Sequence, residues 1–338
     1  MTVQDRIELL SLLGKHFLKF DDSLQAAILS TYHHNRWFTQ ENVMQSIRAI
    51  AKEFLDKEKL TDWISAYDIP NAAPKKNVGL VVAGNIPLVG FHDWLCTFIT
   101  GHKALVKSSE KDKFLLPYAV NFLSEIAPPV KELTEFTERL NTIDAVIATG
   151  SNNSSRYFDA YFGKYPNIIR KNRTSVACLT GKETKEDLLE LGKDIFSYFG
   201  LGCRNVSKIY VPKDFDFENF METMHEFKEL VLHHKYKNNF DYNFTILILN
   251  QIKHYSNGCL LVQESELFYS RIACLHYEFY NTEEEMEAKI LAHQDEIQCI
   301  VSTKPIGKLV SLPFGKTQTP GLTDYADNVD TLQFLVDL

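Results

Sequence analysis

A chain of 338 residues with 45% hydrophobic and 12% aromatic side chains has enough apolar surface for more than one buried core, which excludes a disordered protein and predicts two domains. A formal net charge of −8 excludes a protein that grips nucleic acid through a broad basic face, because phosphate neutralisation needs clustered Lys and Arg. The six cysteines, Cys96, Cys178, Cys203, Cys259, Cys274 and Cys299, contain no Cys-x-x-Cys pair, so neither a zinc cage nor a disulfide framework is expected and no metal is assigned.

The N-terminal run Met1-Thr2-Val3-Gln4-Asp5-Arg6 lacks a basic region followed by an apolar core, and no apolar stretch reaches membrane-spanning length. The expectation is a cytoplasmic protein with no membrane span. Residues 1 to 66 alternate apolar and charged positions at helical spacing, with Leu9, Leu10, Leu13 and Phe17 on one stripe and Val43, Ile47, Ile50 and Phe54 on another. From residue 77 the pattern changes to short apolar runs of strand length, at 78–82, 104–106, 145–148 and 175–179, separated by helical stretches. Strands apolar on both faces and alternating with helices predict an α/β fold with a Rossmann-type parallel sheet. A second series of strands is expected at Ile209-Tyr210-Val211, Thr245-Ile246-Leu247-Ile248-Leu249, Ile272-Ala273-Cys274-Leu275 and Ile297-Gln298-Cys299-Ile300-Val301. The boundary between the lobes is expected near Thr180-Gly181, and the capping-box sequence Thr184-Lys185-Glu186-Asp187 opens the next helix.

Ligands of open α/β sheets sit at the carboxyl ends of strands, which directs attention to three turns. After 78–82 comes Gly84-Asn85-Ile86-Pro87-Leu88, where the Asn85 amide can donate to a developing oxyanion or help a turn before Pro87. After 104–106 come Lys107-Ser108-Ser109-Glu110, whose Lys and carboxylate can contact a ribose or phosphate, or lie solvated at a strand end. After 145–148 come Thr149-Gly150-Ser151, a small-residue turn entering a helix, which serves a pyrophosphate or a plain helix cap. In the second lobe, Gly200-Leu201-Gly202-Cys203-Arg204-Asn205 sets a thiol at a helix-to-strand turn, where it reads as a nucleophile or as a small buried hydrophobe. His233 and His234 are adjacent in a helical pattern, so their side chains diverge and form no two-ligand face.

In order and separation these segments resemble motifs of the aldehyde dehydrogenase superfamily, and within it the LuxC-type fatty acyl-CoA reductases. Gly84-Asn85 is similar to the motif carrying the oxyanion asparagine, Lys107-Ser108-Ser109-Glu110 to the Lys-Pro-Ser-Glu cofactor motif, and Thr149-Gly150-Ser151 to the nicotinamide-side Thr-Gly-Ser. Gly202-Cys203 falls where that family keeps its nucleophile, and Leu312-Pro313-Phe314-Gly315 resembles its Pro-Phe-Gly run. The resemblance implies a helical N-terminal region and cofactor domain over residues 1–180, a catalytic domain over 181–312 and a C-terminal tail, 313–338, near the active site.

It further implies that Cys203 attacks an acyl-CoA or acyl-protein thioester, with Asn85 and the Cys203 backbone N–H stabilising the oxyanion, and that hydride from NADPH, or from NADH, reduces the acyl-enzyme to aldehyde. Lys107, Ser109, Glu110, Thr149, Gly150 and Ser151 would hold the cofactor, together with Glu264 or Glu266 at the nicotinamide ribose. Where hydrolytic relatives carry a water-activating glutamate, this chain reads Ala177-Cys178-Leu179-Thr180-Gly181-Lys182, with Cys178 at that position and Glu183 as the alternative. Loss of that base favours reduction over hydrolysis. The aromatic run Tyr157-Phe158-Asp159-Ala160-Tyr161-Phe162 reads as an apolar tunnel lining or as core, and the short Tyr67-to-Asn77 connection leaves little room for an oligomerisation hairpin, so a homo-oligomer is not indicated. Aldehyde oxidation by the same thiol, and a non-catalytic acyl-binding protein that keeps the fold, are the competing readings.

Overall fold

The computed structural model describes residues 1–70 and 75–338, Asn152 by its backbone alone. The chain divides into two compact units, Met1–Asn172 with Thr319–Leu338, and Arg173–Gln318.

The first unit begins with four helices, α1 (Val3–Phe17), α2 (Asp22–His34), α3 (Gln40–Glu53) and α4 (Lys57–Ser65). Each starts at a side chain that accepts an otherwise unpaired amide: Thr2, Asp21, Thr39 and Asp56. Their apolar stripes are fully used, since Leu10, Leu13, Leu24, Val43 and Ile47 are all completely or almost completely buried in one core. At about 2 kcal/mol for each buried Leu or Ile, this packing rather than helix propensity fixes the bundle. There follow β1 (Asn77–Val81), α5 (Phe91–Thr100), β2 (Lys103–Lys107), α6 (Leu115–Ile126), α7 (Val130–Leu133), β3 (Thr134–Phe136), β4 (Ala145–Thr149), α8 (Asn152–Phe162) and β5 (Asn167–Arg170). The five strands form a sheet in the order β3-β2-β1-β4-β5, parallel throughout.

The second unit contains β6 (Thr174–Cys178), α9 (Lys185–Phe196), β7 (Val206–Pro212), α10 (Phe217–Met224), α11 (His234–Leu249), β8 (His254–Ser256), β9 (Leu261–Glu264), β10 (Cys274–Tyr280), α12 (Glu283–Ala292) and β11 (Ile297–Ser302). Its six strands run in the order β11-β6-β7-β10-β9-β8, parallel except for the β8–β9 pair at the edge. The last helix, α13 (Thr331–Val336), belongs to the first unit, where the buried Arg170 binds Asp93 of α5 at 2.5 Å and Thr331 at 2.8 Å.

Two expectations need correction. Thr245–Leu249 is not a strand but the end of α11, a helix of 16 residues. Its buried positions, Tyr236, Phe240, Asn243 and Leu247, recur at helical spacing, while Ile248 and Leu249 face solvent, so the apolar run is a continuation of helix rather than a two-faced core strand. The strand expected at Ile272 begins only at Cys274, because Ala273 adopts φ of 62°, a left-handed conformation no strand residue holds. The short strands β3, β5, β8 and β9 carry too few residues to stand out as apolar runs.

Candidate active site

In the first unit, β2, β1 and β4 are neighbours in register, Val81 lying opposite both Lys107 and Ala148. The three turns singled out in the sequence therefore leave one edge of one sheet side by side. The order of strands reverses between β1 and β4, and that switch point is where a parallel α/β sheet opens a crevice for a dinucleotide.

The Asn85 turn is held on three sides. A Cβ on Gly84 would come within 2.5 Å of Ser109 Oγ, so the β1 and β2 turns approach more closely than any other residue would permit. Leu88 adopts φ of 57° and donates its amide to Asp112 Oδ2 at 2.7 Å, and Ser46 Oγ donates to Pro87 O at 2.8 Å. Asn85 itself is half-buried. On the neighbouring turn Lys107 and Glu110 are exposed, Glu110 pairing with Lys113 at 3.1 Å, while Ser109 is half-buried and its Oγ accepts Lys111 N. After β4, Gly150 donates its amide to Arg170 O, and Ser151 caps α8 by accepting Ser154 N at 3.2 Å. These residues fit a nicotinamide dinucleotide through the switch point, the α8 N-terminus and the lysines of the β2 turn.

In the second unit, Cys203 is the second residue of a β-turn that joins α9 to β7. The turn is closed by Asn205 N donating to Gly202 O at 3.1 Å. Between α9 and the turn the chain makes a tight bend in which Tyr198, Phe199 and Gly200 have φ of 51°, 59° and 74°. Cys203 is half-buried, and Ser175 Oγ donates to its carbonyl at 3.1 Å while accepting Cys299 N at 3.1 Å. Arg204, beside it, donates to Cys299 Sγ at 3.3 Å. Of the other thiols, burial pushes Cys259 up to about 11 and Cys274 up to about 12, and Cys96 and Cys178 further still, which disfavours nucleophilic thiolate at all four.

Three supporting residues went unremarked in the sequence. The buried Asn205 accepts Gly202 N at 2.8 Å through Oδ1 and donates through Nδ2 to Asp194 O and Ser197 O, both at 2.9 Å. The Asp194 carboxylate, 1% exposed, accepts Gly315 N at 2.7 Å, Thr317 N at 3.1 Å and Thr317 Oγ1 at 2.8 Å. A charge beside Leu191 and Ile195 on the buried stripe of α9 was the available signal for Asp194, as was a hydroxyl in an otherwise apolar strand for Ser175.

Cys178 ends β6, 2% exposed and packed with Val176, Tyr210 and Met286, whereas Ala177 packs in the core beneath α9. Strand alternation therefore turns Cys178 to the face opposite Ser175, the residue that touches Cys203. Glu183 accepts Thr180 N at 2.7 Å, Thr180 Oγ1 at 2.8 Å and Gly181 N at 3.0 Å, so both its oxygens hold its own turn. Glu264 and Glu266 are both exposed, Glu264 at the end of β9 and Glu266 on the loop that follows. Along α8, Tyr157 and Tyr161 face solvent, while Phe158 and Phe162 pack against the cluster of Leu105, Val146 and Ala148. His233 caps α11 and packs on Phe199 with ring centroids 4.4 Å apart. Among the described residues no group of His, Cys, Asp and Glu is arranged to hold a metal, and no helix is long and apolar enough to cross a membrane. The Tyr67-to-Asn77 connection includes residues 71–74, which lie outside the described residues.

No family model and no curated protein matches the chain. Solved structures do. Aldehyde dehydrogenase 21 from Physcomitrella patens, in complex with the reaction product succinate, superposes over 100% of this chain and 84% of its own, with a TM-score of 0.68 at 11% identity. Lactaldehyde dehydrogenase from Escherichia coli matches over 86% and 72%, with a TM-score of 0.60 at 14% identity. The indole-3-acetaldehyde dehydrogenase AldA of P. syringae, in complex with NAD+, matches over 90% and 73%, with a TM-score of 0.64 at 12% identity. The fold of this chain is thus the aldehyde dehydrogenase fold.

Proposed function

We propose that the protein is a nicotinamide-dependent reductase that converts acyl thioesters, of CoA or of a carrier protein, to aldehydes through an acyl group held on Cys203. In this reading it is a cytoplasmic enzyme of the LuxC type. The observation that carries the proposal is the state of the two groups available as a hydrolytic base: Cys178 is buried on the opposite face of its strand, and Glu183 is consumed by its own turn.

The Cys203 thiolate attacks the thioester carbonyl, forming the Cys203 Sγ–carbon bond and expelling the CoA thiolate, which takes up a proton. Asn85 and the Cys203 amide donate to the oxyanion, each contributing about 3 kcal/mol to the transition state. A bound nicotinamide cofactor supplies the hydride. Protonation of Cys203 Sγ accompanies collapse of the resulting thiohemiacetal, which releases the aldehyde and restores the thiol. With Cys178 buried and Glu183 committed to its own turn, neither activates water, and the acyl group persists on Cys203 long enough for this reduction.

Lys107, Ser109, Glu110, Thr149, Gly150 and Ser151 hold the cofactor in this reading, with Glu264 or Glu266 at the nicotinamide ribose. Lys107 and Lys111 favour NADPH over NADH by offering positive charge to a 2′-phosphate, while Lys113 engages Glu110.

Intact-mass measurement after incubation with myristoyl-CoA, without cofactor, tests the first half. An acyl adduct is expected on the wild type and none on Cys203→Ala; an adduct that persists in the variant refutes the nucleophile. Addition of NADPH then discharges the adduct as aldehyde. Formation of free acid from an aldehyde with production of NADPH or NADH, and no adduct from the thioester, would establish the oxidative reading instead.

A further inference from the structure

We infer that Asn205 is a positioning residue for the nucleophile, clamping the Cys203 turn to the end of α9, and that Asp194 fastens the Phe314–Thr317 segment to the same end of that helix. The inference rests on the reading of Cys203 as nucleophile. Carbonyls at the end of a helix lack donors one turn on, and Asn205 binds the end of α9 through one amide: Nδ2 donates to Asp194 O and to the carbonyl of Ser197, the residue that follows the helix, and lies 3.4 Å from Ile195 O. Its Oδ1 simultaneously accepts Gly202 N, the amide immediately before the nucleophile. One planar group therefore sets both the position of the helix end and the direction of the peptide that leads into Cys203.

Asn205 is 2% exposed, so these bonds lie in a low-dielectric interior that strengthens them. From the other side Ser175 holds the Cys203 carbonyl, which leaves the nucleophile's backbone fixed on both flanks. Asp194 contributes its backbone to this clamp and its side chain to Gly315 and Thr317, so one residue of α9 joins two segments more than 100 positions apart.

Asn205→Asp keeps the size and the oxygen facing Gly202 but sets a carboxylate oxygen against the carbonyls of Asp194 and Ser197; Asn205→Ser removes most of the clamp without adding charge. Both are compared with the wild type by hydrogen exchange and by acylation with myristoyl-CoA followed by intact mass. The expected result is amide exchange in a peptide spanning residues 199–206 at least tenfold faster. Acylation should slow by on the order of 10- to 100-fold while the dissociation constant for NADPH stays within twofold, because displacing a nucleophile by about 1 Å costs that much without touching the cofactor turns. A folded variant with unchanged exchange in that peptide, or with unchanged acylation, overturns the inference. If the wild type forms no adduct, the functional proposal fails by itself, and the exchange measurement alone decides whether Asn205 holds the turn.

Discussion

Asp112 offers the sharpest quantitative test. It lies in the turn after β2, 8% exposed; Oδ2 accepts the Leu88 amide, and Oδ1 has no hydrogen-bond partner among the described residues. Burial pushes its carboxyl from 3.8 up to about 6, opposed only in part by the Leu88 bond. In the unfolded chain the group loses its proton near 3.8 and in the folded chain near 6, so between these values the folded state binds more protons. Stability must therefore fall as pH rises through this window, being fully present below about pH 4 and lost above about pH 6. At about 1.36 kcal/mol per pH unit the full difference is about 3 kcal/mol, of which about 2 kcal/mol falls between about pH 4.5 and 7.5. Asp112→Asn keeps an oxygen for Leu88 and cannot ionise, so its stability relative to the wild type should climb by about 2 kcal/mol over that interval. Urea unfolding followed by tryptophan fluorescence reads the correct unit, because Trp37, Trp63 and Trp94 are the protein's three tryptophans and all belong to the first unit. A difference between variant and wild type that stays constant to within about 0.5 kcal/mol from pH 4.5 to 7.5, or that shrinks as pH rises, refutes the reasoning.

Replacing Cys178 by Glu sets a carboxylate at a site enclosed by Val176, Tyr210 and Met286, so it should bury an unpaired charge, lower stability by about 3 kcal/mol or more and yield no hydrolysis. Free acid released by the folded variant from the acyl adduct proposed on Cys203, by chromatography, would show the new side chain reaching that adduct after all. Tyr325→Phe removes the acceptor of Trp63 Nε1 at 2.9 Å and a partner of Tyr67 OH at 2.7 Å, at a site where Tyr67 also binds Asp330. The unfolding free energy of the first unit should drop by about 1–3 kcal/mol, the cost of a buried indole donor left without a partner, and an unchanged urea midpoint would contradict it.

What the sequence determined by itself is what neighbouring residues carry. The N-terminal helices follow from apolar spacing and their caps, the central strands from runs apolar on both faces, and the Cys203 turn from the Thr184 capping box on one side and Ile209-Tyr210-Val211 on the other. The order of the turns after β1, β2 and β4 was legible for the same reason, since each lies at the carboxyl end of a strand that announces itself locally. The Thr245–Leu249 run misled because a β-branched stretch has no local mark that separates the solvent-facing end of a helix from a core strand. Only the tertiary structure decided what supports the Cys203 turn: Ser175 lies 28 positions from Cys203, and Asp194 lies 123 from Thr317. Such bonds depend on which distant segments the sheet order brings together. The same holds for the two candidate bases, because whether Cys178 and Glu183 can serve water is a matter of strand face and committed hydrogen bonds, which residue identity does not encode.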